Sequence, residues 1–241
     1  MRLILVRHGE PDYQRDCLTP LGRRQALAAA KRLRHEGISA VYSSPLGRAL
    51  ETAQYTAGAL GLPVETLPFM RELHWGGIDG APLPFNGHPW DAADEMARTG
   101  WDMTRTDWAA HPLFARNLVT AEAAHVGEKT DEWLRSLGYA REGTAYRCLR
   151  ESDGQRTAAL FCHGGSSTAM LARVFSLPFP YLCAAVHLDF TGIFIIRFSR
   201  REGGVSLPVA ELCGDDRHIR GLDAPEGVGC TDGASRDIMD R

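Results

Sequence analysis

Three short, largely apolar runs, each followed by small or polar residues and then by a helical pattern, limit the fold more than any other feature of this chain. They occupy residues 3–6, 38–42 and 157–162. Runs of this length are typical of strands that are buried on both faces. Strands that alternate with helices favour a parallel sheet. We therefore predict an α/β fold, a three-layer sandwich in which helices flank a mostly parallel central sheet.

Helix signals follow the apolar runs where this fold requires them. Thr19 is a suitable N-cap because its hydroxyl can accept from a free backbone N–H, and Pro20 has no N–H to leave unpaired. Gly61 predicts the end of the helix that follows the second strand. Further strands are predicted at 184–190, 192–198 and 205–212, and a hairpin is predicted within 139–151.

The pattern changes between residues 81 and 138. Pro82, Pro84 and Pro89 interrupt the chain, and helical patterns follow at 91–99 and 115–137. We interpret residues 81–138 as an inserted helical cap over the strand ends, within a single domain that spans residues 1–241. Residues 221–241, which are rich in Gly and Asp, are predicted to form a C-terminal tail.

Composition argues against several classes of partner. A formal net charge of −3 over 241 residues argues against a general nucleic-acid-binding protein. No apolar run has the length of a membrane span, and the first residues show no signal-peptide pattern. The 6 cysteines have no spacing typical of a zinc site. We therefore expect a cytoplasmic protein with no metal, cofactor, nucleic-acid or membrane partner, and the oligomeric state stays open.

Polar side chains of related type follow each of the three predicted strands. Arg7 and His8 come after the first strand, Arg48 lies near the start of the helix after the second, and His163 follows the third. Because the carboxyl ends of parallel strands share one edge of a sheet, we expect these four side chains to converge. Guanidinium groups and helix N-termini bind anions such as phosphate, and an imidazole is a candidate nucleophile. The sequence therefore predicts an anion pocket that contains a nucleophile.

Five motifs, in the same order along the chain, resemble those of the histidine phosphatase superfamily, also called the phosphoglycerate-mutase-like family. They are Arg7-His8-Gly9-Glu10, Leu18-Thr19-Pro20-Leu21-Gly22, Ser43-Ser44-Pro45-Leu46-Gly47-Arg48-Ala49-Leu50-Glu51-Thr52-Ala53, Arg71-Glu72-Leu73-His74-Trp75-Gly76 and Cys162-His163-Gly164-Gly165. The resemblance runs from the first strand to about residue 218, and the predicted cap is its variable part.

The resemblance implies a role for each of five residues. His8 would be the nucleophile that forms a phosphohistidine, and Glu72 would donate a proton to the leaving oxygen and later accept one from water. Arg7, Arg48 and His163 would bind the phosphoryl oxygens and stabilise charge in the transition state. These residue types suit the roles, since a neutral imidazole is a good nucleophile and Arg binds phosphate oxygens in a fork. The resemblance implies no metal.

Gln14 and Gly164 complete the predicted phosphate site. The chain departs from the family pattern near Gln14, since Pro11 follows the first motif and Tyr13-Gln14 stands where the family often has Trp-Asn. The Gln14 amide can donate a hydrogen bond as an Asn amide does. The loop between Gln14 and Leu18 is also shorter than in the mutases, which suggests a different substrate edge.

The function that the resemblance implies is a metal-independent phosphatase of the histidine acid type. We expect a small phosphorylated molecule as the substrate, because a cap that carries aromatic residues suits an enclosed site. A phosphoglycerate mutase, which returns the phosphoryl group to a second hydroxyl, stays open as an alternative. So does a phospho-ligand-binding regulatory module with little turnover, although such a module would not need both His8 and Glu72.

Overall fold

Eleven strands and six α-helices lie within the described part of the computed structural model, residues 1–150, 156–199 and 201–222. The strands are β1 (Arg2–Arg7), β2 (Pro11–Asp12), β3 (Cys17–Leu18), β4 (Ile38–Ser43), β5 (Val64–Thr66), β6 (Tyr139–Glu142), β7 (Ala145–Cys148), β8 (Thr157–Cys162), β9 (Ile193–Arg197), β10 (Val205–Ser206) and β11 (Val209–Asp215). The helices are α1 (Pro20–Leu33), α2 (Gly47–Leu60), α3 (Pro89–Arg98), α4 (Leu118–Ser136), α5 (Gly164–Phe175) and α6 (Phe179–Ala185).

The central sheet has six strands in the order β11–β9–β1–β8–β4–β5. β1 and β4 both pair in parallel with β8, and β5 pairs in parallel with β4. β9 is antiparallel to β1 and to β11. The four parallel strands therefore end at the same edge, and the predicted α/β fold with a mostly parallel sheet is confirmed.

Side chains of a strand alternate between the two faces of the sheet, and in the buried strands both sets are apolar. Helices therefore cover each face of the sheet. Leu3 and Leu5 of β1 belong to a core cluster that includes side chains of α4 and α5. Ile4 and Val6 belong to a second cluster that includes Leu33 of α1 and side chains of α2. The sheet is thus the middle of three layers, as predicted.

The first helix begins as its sequence predicts. Thr19 is the N-cap of α1, and its Oγ1 accepts from the backbone N–H of Gly22 at 3.0 Å. Pro20 occupies the first helical position. Gly61 ends α2 in the left-handed conformation, with a φ of 68°, which glycine adopts without a Cβ penalty.

One predicted strand is wrong. Residues 184–190 were expected to be extended, but α6 covers Phe179–Ala185 and the chain is irregular from Val186 to β9. Pro180 lies in the first turn of α6, where a proline is compatible with a helix. The predicted hairpin is confirmed as β6 and β7, and the strands near 192–198 and 205–212 are confirmed as β9, β10 and β11.

The predicted cap, residues 81–138, contains two helices with different surroundings. α3 packs against α6, whereas α4 contributes Val126 and Leu134 to the core cluster on the sheet. The cap and the single-domain boundaries stay predictions. Of the predicted tail, only Gly221 and Leu222 lie within the described residues.

In the described ranges no single helix meets the length and apolarity of a membrane span, although α5 and α6, which meet at 118°, pass that test as a pair.

Candidate active site

His8 follows β1 in a turn that packs against three other elements. Its backbone N–H donates to the carbonyl of Cys162, at the end of β8, at 2.9 Å. The N–H of Gly9 donates to Oγ1 of Thr52 in α2 at 3.0 Å. A Cβ on Gly9 would lie 2.6 Å from the carbonyl oxygen of Gly22 in α1, so this close approach requires glycine. The turn therefore has one defined position.

The hydrogen bonds of the His8 ring assign its tautomer. Nε of Arg48 donates to Nε2 of His8 at 3.3 Å, and Nδ1 lies 2.7 Å from the carbonyl oxygen of Gly9. Because Arg has no acceptor, Nε2 must carry the lone pair and Nδ1 the hydrogen. Burial, together with the charges of Arg7 and Arg48, lowers the pKa of His8 to about 3. His8 is therefore a neutral imidazole whose Nε2 carries a lone pair that accepts from Arg48.

His163, directly after β8, lies beside His8 with 5.0 Å between the ring centroids. Its Nε2 is 2.7 Å from Oγ of Ser44, and that oxygen accepts from the N–H of Leu46 at 3.2 Å. With the Ser44 hydroxyl as the donor to Nε2, the hydrogen of the His163 ring lies on Nδ1. Nδ1 is buried and has no hydrogen-bond partner among the described residues. Burial, with the nearby positive charges, lowers the pKa of His163 to about 2.

Arg7 is fixed by the segment that precedes β9. Its Nη1 donates to the carbonyl of Leu188 at 2.7 Å, and its Cζ lies 4.3 Å from the centroid of the Phe190 ring. Its Nε is buried without a hydrogen-bond partner in the described chain. Burial lowers the pKa of Arg7, which shows how far the guanidinium group is removed from water. A phosphate oxygen would satisfy the free N–H.

Arg48, in the first turn of α2, is held by a carboxylate from a distant loop. Nη1 of Arg48 donates to Oδ1 of Asp16 at 2.6 Å, and Oδ2 of Asp16 accepts from the N–H of Gly47 at 2.6 Å. The N-cap of α2 is Leu46, whose side chain makes no capping bond. Asp16 therefore replaces the missing cap and fixes the outer edge of the Arg48 guanidinium.

Glu72 lies at the N-terminus of α5. Its Oε1 accepts from the N–H groups of Leu73 at 2.9 Å and Ser166 at 3.2 Å. A Cβ on Gly165 would lie 2.6 Å from this oxygen, so the approach depends on glycine. Burial raises the pKa of Glu72 above its usual value, in spite of the backbone donors. A raised pKa favours the protonated form that a general acid requires.

The structure brings five of the sequence-predicted residues together at the carboxyl edge of the parallel strands and leaves one outside. His8, Arg7, Arg48, His163 and Glu72 form the cluster described above. Gly164, the first residue of α5, lies between the cluster and Trp90, because a Cβ on it would be 3.8 Å from Nε of Arg7 and 3.6 Å from Trp90. Gln14 is exposed, and no hydrogen bond within the described residues joins its side chain to the cluster. The functional roles of all seven residues stay predictions.

The family follows from a comparison with known sequence families. The histidine phosphatase superfamily (branch 1) matches residues 3–209 of the chain. The chain belongs to this superfamily. The match covers every residue of the cluster, and the predicted family is confirmed.

Curated relatives of this histidine phosphatase chain carry the name probable phosphoglycerate mutase GpmB. Those from Yersinia enterocolitica and Yersinia pestis are 40% identical to it over 92 residues, which is 34% of this chain and 43% of the relatives. The match thus spans less than half the length of these relatives.

Solved structures extend the similarity over nearly the whole chain. The mycobacterial glucosyl-3-phosphoglycerate phosphatase is 26% identical, with a TM-score of 0.60, and the alignment covers 88% of this chain and 98% of that one. A complex of that phosphatase with inorganic phosphate has a TM-score of 0.59 and 26% identity. A phosphoserine phosphatase from Entamoeba histolytica, solved with phosphoserine, shares the fold at 24% identity with a TM-score of 0.58 over 90% of this chain and 98% of that one.

Three residues of this histidine phosphatase site carried no assigned role in the sequence. Asp16 binds Arg48, Ser44 binds His163, and the Tyr13 ring lies over Arg48 with 5.4 Å between the Arg48 Cζ and the ring centroid. Tyr13 therefore contacts the cluster on the loop where Gln14 had been expected to do so. Ser44 was within a recognised motif, whereas nothing local in the sequence pairs Asp16 with α2.

Proposed function

We propose that this protein is a phosphatase that hydrolyses a phosphomonoester of a small molecule through a phosphohistidine on His8. The observation that carries the proposal is the neutral His8 ring, whose Nε2 lone pair accepts from Nε of Arg48 at 3.3 Å. The ring lies in a buried cluster with N–H groups that have no partner among the described residues. Those groups are Nε of Arg7 and, on the tautomer assigned above, Nδ1 of His163. A tetrahedral dianion would satisfy both donors and would also accept from Arg48, which would release the Nε2 lone pair to attack phosphorus.

The proposed hydrolysis takes place in two displacements at phosphorus. In the first, Nε2 of His8 attacks phosphorus, the P–O bond to the substrate breaks, and Glu72 gives its proton to the leaving oxygen. In the second, the Glu72 carboxylate takes a proton from water, the water oxygen attacks phosphorus, and the P–N bond breaks to release inorganic phosphate. Arg7, Arg48 and His163 stabilise the charge on the equatorial oxygens in both steps.

The first test compares hydrolysis of p-nitrophenyl phosphate by the wild type and by His8→Ala, with EDTA present throughout. We expect wild-type activity to survive EDTA and to fall by about 10³-fold or more in His8→Ala. His35→Ala, at an exposed histidine just after the C-terminal end of α1, is the matched control and should retain full activity. A rapid-quench mass spectrum should place the phosphoryl group on the peptide that contains His8. Loss of wild-type activity in EDTA, or full activity in His8→Ala, would contradict the proposal.

Phosphoglycerate mutase activity is the second candidate, because the curated relatives carry that name. The short loop before Leu18 counts against it. Incubation with 3-phosphoglycerate and a bisphosphoglycerate primer separates the two reactions. Isomerisation that is faster than phosphate release would favour the mutase. A phospho-ligand-binding module would instead bind phosphorylated compounds tightly and release no phosphate over hours.

A further inference from the structure

Two aromatic rings lie against the charged groups of the cluster. The Phe190 ring is 4.3 Å from Cζ of Arg7, and its centroid is 5.7 Å from that of the His8 ring. The Tyr13 ring is 5.4 Å from Cζ of Arg48. Each ring therefore borders a group that would bind or attack the phosphoryl group.

Trp90 borders the same space from the side of α3. A Cβ placed on Gly164 would lie 3.6 Å from Cζ2 of Trp90 and 3.8 Å from Nε of Arg7, so the indole and the guanidinium share one small volume. Trp75 and His88 contact the indole, with centroid distances of 6.1 Å and 5.2 Å. These contacts hold the Trp90 ring in one orientation.

The three rings keep part of their surface free. Tyr13 is 67% exposed, and Trp90 and Phe190 are half-buried. Exposed aromatic surface beside a buried charged cluster is costly in water and gains stability when a second apolar surface covers it. The free surface is therefore suited to a ligand group that is flat and apolar.

The position of Trp90 assigns its ring to the leaving-group side of the reaction. Glu72, the proposed proton donor, accepts from the N–H of Ser166 in the first turn of α5. Trp90 abuts Gly164, two residues earlier in the same turn. Because the proton donor must face the leaving oxygen, a substituent on that oxygen would extend past the N-terminus of α5 toward the indole.

We propose that Trp90 and the exposed Tyr13 ring form the leaving-group subsite and that the preferred substrates are phosphomonoesters of alcohols with a flat, apolar group such as an aromatic ring. This proposal rests on the proposed phosphatase function. It deepens that function, because the cationic cluster recognises only the phosphoryl group that all such substrates share.

The test compares 2-phenylethyl phosphate with propyl phosphate. Both are esters of primary alcohols, so their leaving groups are chemically similar and they differ mainly in the ring. The wild type should favour the phenylethyl ester in kcat/KM by about tenfold or more, the effect of covering one aromatic ring. Trp90→Leu should bring this ratio close to one, mainly by lowering kcat/KM for the phenylethyl ester. Tyr13→Leu should lower the ratio as well.

Two features keep the test decisive. Tyr13 is largely exposed, so Tyr13→Leu should fold even where Trp90→Leu does not. Phe85→Leu is the matched control, because Phe85 is 45% exposed and has no contact with the cluster among the described residues. A wild-type ratio near one, or an equal loss for both esters in Trp90→Leu and Tyr13→Leu, would overturn the subsite and leave a packing role.

The subsite can also be tested if the protein hydrolyses neither ester and the proposed function fails. Calorimetry would then compare the binding of 2-phenylethylphosphonate and propylphosphonate, which have no scissile P–O–C bond. Tighter binding of the phenyl compound, lost in Trp90→Leu, would support the subsite independently of turnover. Equal affinities would overturn it.

Discussion

Burial beside fixed guanidinium groups keeps both imidazoles of the site neutral. The pKa of His8 falls to about 3 and that of His163 to about 2. A neutral His8 keeps the lone pair on Nε2. A neutral His163 carries one N–H, which lies on Nδ1 when the Ser44 hydroxyl donates to Nε2. Arg7 and Arg48 carry the positive charge at every working pH. The positive charge of the site therefore lies on the arginines, and the proposed nucleophile beside them stays neutral.

Glu72→Gln tests the acid role through the pH profile. In the proposed mechanism protonated Glu72 is the active form, and its pKa is raised, so kcat/KM of the wild type should fall as the pH rises through that pKa. Gln cannot give a proton, so Glu72→Gln should lose ~10²-fold to 10⁴-fold activity together with this alkaline limb. The ionisation of the substrate affects the pH profiles of the wild type and of Glu72→Gln equally, so the difference between the two profiles reports the ionisation of Glu72. A mutant profile with the wild-type alkaline limb would exclude Glu72 from the acid role.

Asp16→Asn tests whether the loop carboxylate positions Arg48. Loss of the 2.6 Å ion pair should let the guanidinium rotate and lower kcat by about tenfold. In an Arg48→Lys background the same change should have less than about a twofold effect, because the two residues act as a unit. Asp12→Asn is the control, since among the described residues the Asp12 side chain bonds only to Gln14 and Arg15 of the same loop. An equal loss in both backgrounds would mean that Asp16 only caps α2.

At the scale of elements, the sequence predicted those strands and helix ends that depend on neighbouring residues in the chain. The apolar run of β1 and the Thr19 cap of α1 were predicted because one strand or one turn suffices to explain them. The helix at Phe179–Ala185 was missed because its apolar residues have no clear period over so short a length. The pairing of Asp16 with Arg48 was also missed, since the two lie on separate elements and only the packed fold brings them together.

Asp215 links the last strand of the sheet to α1. Nε of Arg217 donates to its Oδ1 at 2.6 Å, and Nε of Arg32 in α1 donates to its Oδ2 at 3.4 Å. The Arg217 bond is the main cause that lowers the pKa of Asp215 from 3.8 to about 2. A depressed carboxyl pKa stabilises the fold above the unfolded pKa, and this contribution is lost as the pH falls from 3.8 to about 2.

Asp215→Asn should therefore lower the free energy of unfolding near neutral pH by about 2 kcal/mol. Urea denaturation at several pH values is the measurement, and the difference from the wild type should narrow as the pH falls below 4, near the unfolded pKa of an aspartate. Asp216→Asn is the control, since Asp216 pairs with Arg220, which is 70% exposed. It should change the stability by less than about 0.5 kcal/mol. An effect of Asp215→Asn that does not vary with pH would contradict the ion-pair explanation.

At the scale of the whole molecule, the site exists only in the folded chain. His8, Arg48 and His163 follow β1, β4 and β8, whose parallel register brings them to one edge. Glu72 reaches the same place from the segment after β5 and accepts from the N–H of Ser166. In the unfolded chain these groups are far apart and bind an anion weakly. Any anion that binds the assembled site must therefore stabilise the native state.

Inorganic phosphate should accordingly raise the melting temperature of the whole protein. At a concentration 100 times its Kd, a ligand specific to the native state adds about 2.7 kcal/mol, which corresponds to roughly 5–10 °C for a chain of this size. Differential scanning calorimetry in phosphate and in chloride of equal ionic strength measures the specific part of the shift. Arg7→Gln removes one of the two N–H donors of the cluster that have no partner among the described residues, so it should lose more than half of this shift relative to its own melting temperature. An undiminished shift in Arg7→Gln would show that phosphate stabilises the protein from a site other than the His8 cluster.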